Sequence, residues 1–136
     1  MEQKNVKKGI LVFVRYALAI AFLSAVADRF GFWGAPGEGN VAWGSWSNFL
    51  DYTALLNPWA PKAFVSVLGS IATLLEITFA IGLMIGVRTK IFALGSAVLL
   101  LVFALSMTFT LGIKSPLDYS VFSASGAALL LFLHYD

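Results

Sequence analysis

The sequence predicts an all-α polytopic membrane protein, a bundle of four transmembrane helices with a short interfacial helix between the first and second spans. Three observations predict it. Of 136 residues, 60% are hydrophobic and 12% charged, where a soluble domain carries about 25% charge, and the mean hydropathy is +0.87. Four long apolar runs are separated by basic or Gly/Pro-marked breaks, each run long enough to approach a hydrocarbon core of about 30 Å. All four tryptophans, Trp33, Trp43, Trp46 and Trp59, fall between the first two runs, where aromatic residues would sit at a membrane–water interface. The length suits one domain, residues 1–136.

Residues 1–8 read as a short basic tail, and the first span as about 9–27. Its charged start, apolar run and Ala25-Val26-Ala27 imitate a secretory signal, but the run is too long, Arg15 interrupts it and three more spans follow. Residues 28–62 form an aromatic outer loop. Glycines and prolines break its first part. The stretch 41–57 then places Ala42, Trp46, Phe49, Thr53 and Leu56 on one helical face, with Ser47 and Asp51 on the other. Asn57-Pro58 ends that helix, because the residue before proline is pushed out of the α region. The second span covers about 63–86 and leads into the basic turn Val87–Lys90. The third covers about 91–111. A loop with Pro116 follows, then a fourth span over about 119–135. Lys4, Lys7, Lys8, Arg88 and Lys90 flank one side, against Arg29, Lys62 and Lys114 on the other. That asymmetry predicts both termini in the cytoplasm, and the expected location is the cytoplasmic (inner) membrane.

The residue that demands explanation is Glu76. An ionisable group at mid-bilayer costs at least about 2.5–3.5 kcal/mol, so it must be protonated, paired or facing a wet cavity. Ser66, Gly69, Thr73, Glu76 and Ala80 share one helical face, small and polar, which should point into the bundle. Arg15, about two turns into the first span, is the expected partner; the plainer alternative has Arg15 snorkelling to the headgroups. Asp28 and Arg29 read as a solvated helix end, or Arg29 as the outer wall of the same cavity. Gly82 and Gly86 make a small-xxx-small packing surface with Thr78. Ser96, Phe103, Ser106 and Thr110 share a face of the third span, and Ser120, Ser123, Ala127, Leu130 and His134 a face of the fourth, as helix–helix seams. The ligand-pocket candidates are therefore Glu76, Arg15, Thr73, Arg29 and Ser106.

Several chemistries are excluded. There is no cysteine, hence no disulfide, thiol redox centre, thiolate metal site or c-type haem attachment. One histidine, His134, makes no metal cluster, and no catalytic motif or cofactor fingerprint is visible. The net charge of +2 is too small to argue for nucleic acid.

An Arg early in the first span (Arg15), a basic residue at its end (Arg29, where lysine is usual), Glu76 in mid second span, Gly82 through Arg88 and a small-residue third span form an ordered set. Over residues 9–135 this set resembles the DoxX-like family of small membrane proteins, although the loop 30–62 is longer and more aromatic than the simplest members carry. The resemblance implies a four-helix membrane bundle and a link to membrane redox systems, since some relatives are named for quinone-linked thiosulfate oxidation and others associate with redox-defence proteins. The fold also resembles four-helix quinone-reducing thiol enzymes, whose catalytic cysteines are absent here. The expectation is an accessory subunit with a polar intramembrane pocket around Glu76, taking a quinone or other lipophilic ligand, with Phe22 and Phe103 along the tail path. An anchor or scaffold for a partner protein is the first alternative, and a proton-coupled small-molecule transporter working as a dimer the second; the expected partners are membrane lipids and a partner protein or a homo-oligomer.

Overall fold

The computed structural model describes residues 1–135. Six helices account for most of the chain: α1 (Glu2–Arg29), α2 (Trp46–Leu56), α3 (Lys62–Ile85), α4 (Thr89–Leu111), α5 (Lys114–Asp118) and α6 (Val121–His134). By length and apolarity α1, α3 and α4 can each cross a membrane, and α6 is a shorter apolar helix. The predicted class is the observed one. The differences lie at the edges. The tail 1–8 is not separate from the first span but continues it as helix, and α5 turns once inside the expected third loop.

The long helices alternate in direction. Arg15 of α1 meets Leu83 and Met84 near the end of α3, whereas Arg29 meets Thr73, so α1 and α3 run antiparallel. Ser125 Oγ donates to the Ala97 carbonyl at 2.8 Å and Lys90 Nζ lies 5.1 Å from the Phe132 ring, which sets α4 antiparallel to α6. Leu18, Ala19, Phe22, Ala80, Leu83, Ala93, Ala97, Ala128 and Leu131 form the buried core. The alanines let the backbones approach closely, as membrane interfaces require. Leucine and isoleucine point outward along all four helices, the pattern of a bundle solvated by lipid rather than water.

Gly82 and Gly86 differ from the expected pair. Gly82 makes room for the ring of Phe92 on α4, so a side chain, not a helix backbone, fills its notch. Gly86 is the residue that ends α3: it adopts φ +80°, the left-handed cap conformation that glycine takes without penalty.

The α1 helix stops short. Its last turn is level with Thr73, eleven residues into α3, or roughly 16 Å at 1.5 Å per residue. The chain from 30 to 61 fills the space above it. Ser45 caps α2, accepting from the Asn48 N–H at 3.2 Å, and Asn57 ends it ahead of Pro58 as expected. Phe49 and Thr53 are buried, while Ser47 and Asp51 face out. Phe49, Leu50 and Thr53 press against Gly69 of α3. The outer helix therefore does more than lie at the surface: it docks into the bundle and roofs its interior.

Candidate functional site

The site is built from the last two residues of α1, which point to opposite jobs. Asp28 turns toward the loop. Its carboxylate accepts backbone N–H groups from Ala42 (2.9 Å), Trp43 (2.7 Å) and Gly44 (3.0 Å). This strap explains why the helix begins at Trp46 and not at 41: the amides of 42–44 are spent on a carboxylate. Gly44 completes the bend at φ +73°, where an added Cβ would strike Ala35 and Pro36. The strap also pulls Trp43 over the end of α1.

Arg29 turns inward. It is 3% exposed, and its Nη1 donates to Thr73 Oγ1 at 2.7 Å and pairs with Glu76 Oε2. Thr73 is oriented to accept because its own proton goes to the Gly69 carbonyl at 2.8 Å. The guanidinium carbon lies 3.9 Å from the Phe49 ring centroid and 5.3 Å from that of Trp43. A desolvated cation–π contact contributes about 2 kcal/mol, offsetting part of the cost of burying the cation. The remaining polar atoms are not all satisfied. Arg29 Nη1 and Glu76 Oε2 are in direct contact as an ion pair, while Arg29 Nε is buried without a hydrogen-bond partner. Buried donors are rarely left so.

Beside the pair lies a cavity of about 950 Å³. Glu76 and Arg29 line it together with Leu18 and Phe22 of α1, Phe103, Ser106 and Met107 of α4, and Ala124 of α6. Trp43, Phe49 and Tyr52 line the part beneath α2, and Tyr119 joins them from the turn before α6. The volume falls at the upper end of the range for ligand pockets, about 300–1,000 Å³, and the lining has their usual make-up of apolar walls with a few convergent polar groups.

The predicted residues fare unequally. Glu76, Arg29 and Thr73 come together, and Ser106, expected both on a helix seam and as a pocket candidate, lines the cavity from α4. Arg15 does not belong to this set. Its Nε donates to the Leu83 carbonyl at 2.7 Å and its Nη2 to the Met84 carbonyl at 3.0 Å, and its guanidinium covers Gly86. It caps the last turn of α3, satisfying carbonyls that have no helical donor at the end where a cation is favoured. The expected Arg15–Glu76 pair fails on register, because Leu83 and Met84 lie seven to eight residues beyond Glu76, roughly 10–12 Å along the helix. Asp28 and Arg29, read first as a solvated helix end, are 6% and 3% exposed. The alternative reading of Arg29 as a cavity wall is the one the geometry matches. Asp28 was missed as a structural anchor; its signal was an acid directly before a basic residue at the end of an apolar run, followed by a glycine-rich loop.

Comparison of the chain with protein-family models, with curated proteins and with solved structures gives no match. Its class, a helical membrane bundle with a buried ion pair beside a large open-sided cavity, therefore rests on the fold and the site alone.

Proposed function

We propose that this chain is a DoxX-like protein of the cytoplasmic membrane, an accessory subunit whose cavity holds a lipophilic ligand of the quinone class. The observation that carries the reading is the placement of the Arg29–Glu76 pair on the wall of a large apolar cavity with Arg29 Nε unpartnered. A lone structural ion pair gains nothing from such a cavity, and its desolvation can exceed its attraction. The residues suit a ring bearing carbonyl or hydroxyl groups: the Arg29 guanidinium on the cavity wall offers donors, Glu76 an acceptor, and the Ser106 hydroxyl either. Phe22 and Phe103 offer apolar surface for a tail. A bound quinone would supply two-electron redox capacity, and the protein's part is to hold and orient it. The five-to-three distribution of Lys and Arg in the flanks supports placing the end with residues 1–8 and the 86–90 turn in the cytoplasm.

The test is purification in mild detergent followed by mass spectrometry of lipid-soluble molecules retained by the parent and by Glu76→Gln. The expected result is a prenylated quinone held near stoichiometrically by the parent and lost from the variant. Recovery of a stoichiometric partner protein with no such ligand would replace this reading with the anchor.

A further inference from the structure

A second cavity, of about 840 Å³, lies at the opposite end of the bundle from α2, between the start of α1 and the end of α6. Because α1 begins at Glu2 while α3 already ends level with Arg15, the first turns of α1 have only α6 beside them. Lys4, Lys7, Leu11 and Val14 follow the three-four spacing of one α1 face, and Leu130 and His134 line the groove from α6. The face is graded. Its two lysines stand at the outer end, and Leu11 and Val14, half-buried against the core, at the inner end. His134 spends Nδ1 on the Leu130 carbonyl at 2.8 Å. Lys90, packed on Phe132 of α6, adds a third cation at the same end of the bundle.

We infer that this groove binds one anionic phospholipid of the adjoining leaflet, its acyl chain along Leu11, Val14 and Leu130 and its phosphate on Lys4 and Lys7. The two halves of the groove argue for this occupant together. An apolar trough at headgroup depth takes hydrocarbon, and cations at its mouth select a negative headgroup from a bilayer that also offers neutral ones. Basic pockets between transmembrane helices bind anionic lipid on this principle, each lysine near the surface strengthening the attraction about fivefold. The inference is independent of the ligand proposed for the Glu76 cavity.

The test is native mass spectrometry of the full chain in detergent titrated with phosphatidylglycerol or phosphatidylcholine of equal chain length. Phosphatidylglycerol should bind at one site and more tightly. Lys4→Gln with Lys7→Gln should weaken it about 25-fold and leave phosphatidylcholine unchanged, whereas Lys114→Gln, at the far end, should have no effect. Leu130→Trp, which fills the trough and keeps both lysines, should lower phosphatidylglycerol retention. Equal binding of the two lipids, or a lysine pair variant with the parent's preference, overturns the inference. So does a Leu130→Trp variant that binds phosphatidylglycerol as the parent does, because the lysines would then act as an unstructured charged surface. Lys4, Lys7 and Leu130 are exposed, so these variants keep the core intact, and their melting temperatures verify it.

Discussion

Arg15 and Arg29 sit on one helix and meet different partners of the same sign. Arg15 finds two carbonyls at the negative end of α3, and Arg29 finds a carboxylate, a hydroxyl and two aromatic faces. Their variants should therefore behave differently against Glu76→Gln. Arg29→Met and Glu76→Gln should each cost about 3–5 kcal/mol, because each leaves a buried charge alone, and the double variant should recover much of the loss. Arg15→Met should cost about 2 kcal/mol, the scale of hydrogen bonds from a charged donor, and should add to Glu76→Gln within about 0.5 kcal/mol, since the two share no partner. Thermal or denaturant melts in detergent measure both cycles. Coupling of Glu76 to Arg15, or its absence with Arg29, would contradict the pairing. Glu76, Thr73 and Arg29 were legible as candidates because polar residues in an apolar run are costly and few. Their pairing was not, because two cations on one helix both satisfy that logic, and only the register of α1 against α3 chooses between them.

At the scale of elements, the roof depends on two small devices. Asp28→Asn keeps the shape but removes the charge and turns one acceptor into a donor facing backbone N–H groups. It should cost about 3 kcal/mol and free residues 41–45, seen as faster amide exchange there while α4 and α6 stay protected. Gly69 admits Phe49 and Leu50 so closely that an added Cβ would lie 2.8 Å from the Leu50 side chain. Gly69→Val should lift α2 from α3 and shift the emission of Trp43 and Trp46 to longer wavelength; unchanged emission would mean that α2 does not need this notch. The existence of α2, its outward Ser47 and Asp51 and its stop before Pro58 followed from periodicity and proline sterics. Its start did not, because the strap on residues 42–44 comes from a carboxylate more than a dozen positions away, which no local pattern records.

At the scale of the molecule, three long apolar helices and the shorter α6, alternating in direction, leave a charged end at residues 1–8 and 86–90 and an aromatic end at 30–61. Cysteine placed at Lys4 or Lys90 should label only from the cytoplasmic side, and at Gly39 only from outside; labelling of Gly39 from the cytoplasm would reverse the orientation. The four apolar helices were readable because burying backbone in lipid leaves few solutions. A pocket at Glu76 was expected from the cost of that carboxyl, and α1 ends within two residues of the predicted boundary; the way α2 covers the space above that end was not readable, because it depends on contacts between distant parts of the chain.

The most direct test of the cavity as a ligand site is a melt with a short-tailed benzoquinone added to the parent and to Ser106→Trp, which fills the cavity from α4 without touching the ion pair. The quinone is predicted to raise the melting temperature of the parent, by about 2.7 kcal/mol of stabilisation at a concentration of about 100 Kd, and to leave Ser106→Trp unmoved. Equal protection of both proteins, or of neither, would contradict the assignment of this cavity as the binding site.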